Sequence, residues 1–156
     1  MDYYIINGKV YHDHAFQEIP LRVVDGKLSL CGGVPAGAET VDASGMKIVP
    51  GFIDIHTHGA VGVDVNGANV ADLQKIGRFF ASNGTTAWLG SVLTDTVEQT
   101  SWCIGQFNAY ADSSAPDAAE LLGVHLEGPF LASEYKGAMP EHLLRQGDAE
   151  LLRHYQ

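Results

Sequence analysis

Apolar strand-like segments alternate with helix-like segments through the second part of this chain. The strand-like segments are residues 51–56, 85–93 and 121–126. Between the first two, apolar residues fall at helical spacing after Asn69, a candidate N-cap, and Thr96 is a candidate N-cap for a second helix. Strand, helix and strand in alternation predict a parallel sheet with helices packed on it.

The first part of the chain has a different pattern, typical of short antiparallel strands. Aromatic and β-branched residues are interrupted by Asn7-Gly8 and Asp25-Gly26, which both predict two-residue hairpin turns. Two further short strands are predicted at 41–43 and 47–49. We therefore expect residues 1–48 to form the N-terminal part of a small β domain, and residues 49–156 to form the first βα units of a second domain.

The first strand of the βα region ends in two histidines. After the Pro50-Gly51 break, side chains at alternate positions share one face of the strand, which places Asp54, His56 and His58 together. Two imidazoles at this spacing can hold one cation between them. A polar strand end with two solvated histidines would have the same sequence, so the pair alone leaves both interpretations open.

The third strand ends in Glu127, and Gly128-Pro129 then turns the chain sharply away. Apolar residues on both sides argue against an ordinary exposed carboxylate. In open α/β sheets and (β/α)₈ barrels, ligands bind at the carboxyl ends of the strands. His56, His58 and Glu127 are therefore candidate ligands of a divalent ion such as zinc, iron or manganese.

Two more polar residues lie on the same strands. His125 comes two residues before Glu127, and Asp54 comes two residues before His56. We expect both to orient the ligands rather than to bind the ion, because groups of this kind hydrogen-bond to metal ligands in most sites.

Composition and charge exclude several classes of partner. The chain of 156 residues has a formal net charge of −10 with only 9 Lys and Arg, which is not the basic footprint of a nucleic-acid or anionic-membrane binder. Cys31 and Cys103 show no disulfide or zinc spacing. The first residues lack the features of a signal peptide, so we expect a cytoplasmic protein. The negative net charge leaves an anionic small-molecule substrate open, since a local site can oppose the global sign.

Two segments resemble known enzymes. Residues 50–59 resemble the first barrel strand of the amidohydrolase superfamily. Residues 122–130, followed by Lys136-Gly137-Ala138, are similar to the N-acetylglucosamine-6-phosphate deacetylase family, as is the turn at residues 83–86. The resemblance extends over nearly the whole chain.

This resemblance implies a fold and a reaction. The fold would be α/β, a partial (β/α)₈ barrel preceded by a small β-sandwich-like domain. The reaction would be the metal-dependent hydrolysis of N-acetylglucosamine 6-phosphate, an amino-sugar phosphate, to glucosamine 6-phosphate and acetate. The full-length enzyme would be a homodimer.

The resemblance also implies residue roles. Glu127 would bind the catalytic metal, and His56 with His58 would match a pair that some members use for a second metal. One or two Zn²⁺ ions are therefore expected. Ala138 and Met139 fall where the family contacts its sugar phosphate, although a polar residue is more usual at the position of Met139.

Part of the family's machinery has no match in the sequence. A complete barrel needs about 250 residues, and the stretch from Gly51 to Gln156 is less than half of that. The remaining histidine ligands and the aspartate that handles the proton would lie beyond Gln156. We therefore interpret the chain as an N-terminal fragment, without its own general acid or base, that is inactive alone.

Two alternatives remain open at the level of the sequence. The chain can belong to another amidohydrolase that acts on a cyclic amide or on another acylated amino sugar. It can also be a non-catalytic metal-binding module or an unfolded fragment, because an incomplete barrel exposes strand edges and apolar faces.

Overall fold

The computed structural model describes residues 2–113 and 115–156. The chain divides into two compact units, one that ends at Pro50 and one that spans Gly51–Gln156. The first unit consists of short strands and the second combines strands with helices. The mixed α/β class predicted from the sequence is thereby confirmed.

The first unit contains two small sheets. Its strands are β1 (Asp2–Ile6), β2 (Lys9–His12), β3 (Ala15–Glu18), β4 (Leu21–Val24), β5 (Lys27–Leu30), β6 (Thr40–Asp42) and β7 (Lys47–Ile48). One sheet has the order β5-β4-β1-β6 and the other has the order β3-β2-β7. The most buried apolar side chains of this unit are Tyr4, Val10, Leu21, Val23 and Ala43.

The hairpin predicted at Asn7-Gly8 is wrong. Strand β1 pairs with β4 and β6, whereas β2 pairs with β3 and β7, so the chain passes from one sheet to the other at this dipeptide. A two-residue type I′ hairpin needs positive φ at both central residues, but of the two only Asn7 has it, at 63°. The Asn7 amide instead donates a hydrogen bond of 2.9 Å to Asp42.

The real hairpins of the first unit lie elsewhere. Asp25-Gly26 joins β4 to β5 with φ values of 48° and 76°, as its sequence predicts. Asp13-His14 joins β2 to β3 with φ values of 47° and 61°. The second turn has no glycine, so it gives little signal in the sequence, and strand β3 after it was not predicted.

The second unit is built on a three-stranded parallel sheet. Its elements are β8 (Phe52–Thr57), β9 (Gly59–Ala60), β10 (Val63–Asp64), α1 (Val70–Ser82), β11 (Thr85–Leu93), α2 (Val97–Ala111), β12 (Glu120–Glu127) and α3 (Ala149–His154). The long strands pair in parallel in the order β12-β11-β8. Within the described residues, no helix is long and apolar enough to cross a membrane.

The two long helices begin at the residues that the sequence indicates. The Asn69 side chain accepts a hydrogen bond from the Asp72 amide at the start of α1, and the Thr96 hydroxyl accepts one from the Gln99 amide at the start of α2. Both distances are 3.1 Å. Each cap satisfies an amide that has no partner within the helix.

Removing the Thr96 cap should destabilise the second unit measurably. We expect Thr96→Ala to lower the free energy of unfolding by about 1 kcal/mol, the usual cost of losing an N-cap. Thr96→Ser keeps the hydroxyl and serves as the control. Chemical denaturation of both variants tests this, and equal stabilities would contradict the capping role.

Helices α1 and α2 pack on the central strand β11. Trp88 is fully buried, and its ring lies 5.4 Å from Phe80, 6.5 Å from Phe107 and 6.4 Å from Tyr110, measured between centroids. Gly90 leaves room for Phe107, because a Cβ there would lie 2.6 Å from the Phe107 ring. This aromatic cluster fixes the helices against β11.

The outer strand β8 is less well covered. Phe52, Ile53 and Ile55 keep 64%, 60% and 66% of their surface exposed. Strands of a parallel sheet are normally buried on both faces. The exposed side chains of β8 are therefore of the kind that a parallel sheet normally buries, although the described residues do not cover them.

Candidate metal centre

The carboxyl ends of the parallel strands bring the three predicted ligands together. His56 lies in β8 and His58 directly follows it, whereas Glu127 is the last residue of β12. These are the two outer strands of the sheet, with β11 between them. The three side chains meet across the end of β11, the edge at which parallel sheets bind ligands.

The distances between the three side chains fit a single ion. His56 Nε2 lies 3.2 Å from His58 Nε2, and Glu127 Oε2 lies 3.0 Å from His58 Nε2 and 3.4 Å from His56 Nε2. Ligand atoms about 2.0–2.2 Å from one tetrahedral zinc are separated by about 3.3–3.6 Å. The three ligand atoms are therefore spaced almost as the ligands of one metal ion would be.

The contact of His58 Nδ1 indicates which nitrogen of the His58 ring is available to a metal ion. His58 Nδ1 lies 3.1 Å from the Ser91 carbonyl oxygen. A carbonyl oxygen can only accept, so Nδ1 carries the proton of the neutral ring and Nε2 presents a lone pair. Glu127 Oε2 is buried and has no hydrogen-bond partner in spite of its closeness to both imidazoles.

A buried carboxylate oxygen without a donor is unfavourable unless a cation neutralises it. Two imidazole nitrogens and one carboxylate oxygen are also a donor set that zinc and similar divalent ions accept. The residues present therefore fit a divalent metal ion, with Glu127 Oε2 as the atom that most needs one.

The predicted orienting residues lie beside this group. Asp54 Oδ1 accepts a hydrogen bond of 3.0 Å from the His56 main-chain amide. The His125 ring lies 4.9 Å from the His56 ring, between centroids, and its Nδ1 is 3.0 Å from Ser91 Oγ. Neither residue belongs to the group of convergent ligand atoms, and their orienting roles stay predictions.

The two predicted substrate contacts differ from each other in exposure. Ala138 is exposed, whereas the Met139 side chain is buried, with 6% of its surface exposed. The Met139 carbonyl accepts a hydrogen bond of 2.9 Å from Lys136 Nζ. The Met139 side chain therefore packs inward, so the predicted contact at this position would have to come from the main chain.

Sequence reasoning missed two residues that hydrogen-bond to the strand ends where the candidate ligands lie. The Ser91 hydroxyl lies 3.1 Å from the Thr57 amide and 3.0 Å from His125 Nδ1, and Thr94 Oγ1 donates to the Glu127 carbonyl at 2.8 Å. A Cβ at Gly128, where φ is 102°, would overlap Thr94 Oγ1. Serine within the apolar run 85–93 was the available signal, since a polar residue in a buried strand needs a partner.

Asn66 ties the connection after His58 to the end of β11. Its side chain accepts from the Leu93 amide at 2.9 Å and donates to the Leu93 carbonyl at 3.3 Å. The Val65 amide donates to the His58 carbonyl at 2.9 Å. These bonds fix the backbone of the connection that follows His58.

Cys103 is not part of the metal centre. Its thiol is buried and lies 3.2 Å from the Asn66 carbonyl oxygen. Burial raises the pKa of the Cys103 thiol above its ordinary value, so the thiol stays protonated at neutral pH and is a poor metal ligand.

Comparison with characterised proteins finds relatives over most of the chain. The N-acetylglucosamine-6-phosphate deacetylase of Bacillus subtilis is 33% identical over 138 residues, which is 85% of this chain and 35% of the relative. That of Lysinibacillus sphaericus is 32% identical over 90% of this chain and 36% of its own length. The N-acetylgalactosamine-6-phosphate deacetylase of Escherichia coli O157:H7 is 30% identical over 81% of this chain and 33% of its own length. No family model matches the chain.

Comparison with solved structures finds the same fold in deacetylases. The N-acetylglucosamine-6-phosphate deacetylase of Pasteurella multocida superposes with a TM-score of 0.85 at 26% identity, over 99% of this chain and 41% of that one. The Mycobacterium smegmatis enzyme, solved with N-acetyl-D-glucosamine-6-phosphate, gives 0.83 at 21% identity, over 99% of this chain and 40% of that one. A D-hydantoinase gives 0.54 at 27% identity, over 81% of this chain and 27% of that one.

The structural neighbours that share this mixed α/β fold over nearly the whole chain are deacetylases. More particularly, the chain is similar over most of its length to N-acetylglucosamine-6-phosphate deacetylases, which confirms the resemblance found in the sequence. The chain spans about a third of the length of the curated relatives it matches.

Proposed function

We propose that this chain carries part of the active site of a metal-dependent hydrolase that deacetylates N-acetylglucosamine 6-phosphate. The products are glucosamine 6-phosphate and acetate. The observation that carries the proposal is the convergence of His56, His58 and Glu127 within 3.4 Å of one another at the strand ends. The proposal is also supported by two relatives that match most of the chain and are both N-acetylglucosamine-6-phosphate deacetylases.

The proposed architecture is a partial (β/α)₈ barrel in residues 49–156 after a small β-sandwich-like domain in residues 1–48. Support for the barrel comes from the parallel pairing of β8, β11 and β12, which are neighbours in the order in which helices connect them. Barrels place each strand beside the next βα unit in the same way. The exposed Phe52, Ile53 and Ile55 fit a sheet that continues in the complete enzyme.

The metal chemistry assigns a role to each side chain. Glu127 and the histidine pair hold a divalent ion, which we propose to be Zn²⁺, through Oε2 and the two Nε2 atoms. When bound, such an ion lowers the pKa of a water ligand and polarises the amide carbonyl. His125 and Asp54 orient the ligands, and Ala138 together with the main chain of Met139 contacts the sugar phosphate. The spacing of the three ligand atoms favours one ion over two at this position.

By resemblance, proton transfer belongs to an aspartate that has no match in this sequence. The proposal therefore includes no general acid or base within this chain, and it predicts that the chain alone does not turn over substrate. The resemblance also implies a homodimer for the full-length enzyme, and the cytoplasmic location expected from the sequence stays a prediction.

A second candidate substrate class has specific support. One relative, 30% identical, is an N-acetylgalactosamine-6-phosphate deacetylase, and this supports N-acetylgalactosamine 6-phosphate as a second candidate substrate. Cyclic amides are less well supported, because the D-hydantoinase superposes with a TM-score of 0.54 against 0.85 for the Pasteurella deacetylase. A non-catalytic metal-binding role would keep the ligands without the reaction.

Acetate release from a completed barrel tests the proposal. The chain is joined to the remainder of the Bacillus subtilis relative, and the zinc-loaded hybrid is supplied with N-acetylglucosamine 6-phosphate, its galactosamine epimer or dihydrouracil. We expect the hybrid to release acetate from N-acetylglucosamine 6-phosphate. The isolated chain and a hybrid carrying Glu127→Gln should release no acetate from it. A folded hybrid that hydrolyses dihydrouracil alone, or turnover by the isolated chain, would contradict the proposal.

A further inference from the structure

Ser91 lies at the centre of the contacts that hold the two histidine-bearing strands. It is in the central strand β11 and is fully buried. The ligands come from the outer strands β8 and β12, so Ser91 is the residue between them. Its main chain contacts His58, and its side chain contacts Thr57 and His125.

The direction of each hydrogen bond follows from the chemistry of its partner. The Thr57 amide can only donate, so Ser91 Oγ accepts there at 3.1 Å. The single proton of the hydroxyl is then left for His125 Nδ1 at 3.0 Å. If His125 Nδ1 donated instead, the buried hydroxyl proton would have no acceptor among the described residues, which is unfavourable.

We propose that Ser91 is a positioning residue that sets the orientation of His58 through its carbonyl and the orientation of His125 through its hydroxyl. In the neutral His58 ring, the carbonyl places the proton on Nδ1, so that the lone pair of Nε2 is directed towards Glu127. The hydroxyl makes His125 Nδ1 an acceptor, so that the proton of the His125 ring is on Nε2. This inference rests on the metal site proposed above.

The proposal has two consequences for the metal site. His125 is held as a hydrogen-bond donor through Nε2 and packs against the His56 ring at 4.9 Å, between centroids. The Thr57 amide, which lies between His56 and His58 in the chain, is anchored to β11. Losing the hydroxyl frees both contacts at once, so the histidine pair should lose its preset geometry.

Cobalt titration of the 156-residue chain tests the role of the hydroxyl. The variants are Ser91→Ala, Ser91→Thr and the matched control Ser101→Ala, which also removes a hydroxyl that contacts a carbonyl and a histidine, His154, on helix α2. We expect Ser91→Ala to weaken Co²⁺ binding by about 10–100-fold, as for other partners that orient ligands. Ser91→Thr should restore most of the affinity, and Ser101→Ala should not change it.

An imidazole nitrogen NMR spectrum of the metal-free chain at pH 8 separates this inference from the proposed function. We expect a proton on His58 Nδ1 and on His125 Nε2, with His125 Nδ1 hydrogen-bonded in the wild type and in Ser101→Ala but not in Ser91→Ala. A proton on His125 Nδ1 in the wild type, or Co²⁺ binding by folded Ser91→Ala equal to wild type, would overturn the inference. Absence of Co²⁺ binding by the wild type with the expected tautomers would count against the metal site and not against Ser91.

Discussion

Replacing Glu127 by glutamine should abolish specific zinc binding by this chain. The substitution keeps the size of the side chain but removes the negative charge at the buried Oε2 atom, which has no hydrogen-bond donor. We expect the dissociation constant for Zn²⁺ to rise by more than about 100-fold, since losing partners that only orient the ligands already costs 10–100-fold. Isothermal titration calorimetry with Zn²⁺ measures the change.

Glu134→Gln is the matched control for this experiment. Glu134 is exposed in the 3₁₀ turn Ser133–Tyr135 and does not belong to the ligand group. The substitution Glu134→Gln therefore removes the same charge without removing a ligand. Its Zn²⁺ affinity should equal that of the wild type. Equal weakening by both substitutions would mean that overall charge, and not coordination by Glu127, governs binding.

The second large effect concerns the core. Trp88→Ala should lower the free energy of unfolding by about 3–5 kcal/mol, the range for deleting a buried aromatic ring. Trp88 is fully buried among Phe80, Phe107 and Tyr110. Because domains are stable by only about 5–15 kcal/mol, this loss should remove a large part of the stability of the second unit.

Trp102 provides the control for the core substitution. It lies on helix α2 with 40% of its surface exposed. Trp102→Ala should lower stability by less than about 1 kcal/mol, as for most partly exposed positions. Urea unfolding followed by far-UV circular dichroism compares the two variants. Equal losses would show that the aromatic cluster around Trp88 does not anchor the helices.

The second unit was predictable because its local signals agree with its tertiary structure. Strands 85–93 and 121–126 are apolar runs of strand length, and the helix before each of them carries a clear cap, Asn69 for α1 and Thr96 for α2. The parallel pairing followed from the alternation of these elements. The order of strands in the sheet needed the structure.

The first unit was less predictable, since its short strands depend on pairing between distant segments. Asn7-Gly8 has the composition of a hairpin turn, yet β1 and β2 enter different sheets. The passage of the chain from one sheet to the other at this dipeptide is fixed by contacts with distant residues. Asn7 contacts Asp42, and Gly8 lies against Ile48. A dipeptide signal contains no information about such partners.

The candidate ligands could be found from sequence because strand ends are functional positions in parallel sheets. Period-2 alternation placed His56 and His58 on one face, and Gly128-Pro129 marked Glu127 as the end of its strand. Ser91 and Thr94 could not be assigned in the same way. Their importance comes from bonds to residues more than 30 positions away in the chain.

The central claim is that His56, His58 and Glu127 bind one divalent ion, and an anomalous difference map of the zinc-loaded chain tests it most directly. Data collected above and below the zinc absorption edge locate the ion without assumptions about its ligands. The account predicts a single strong peak about 2.0–2.2 Å from both Nε2 atoms and from Glu127 Oε2. A peak bound elsewhere, or no peak between these side chains at saturating zinc, would contradict it.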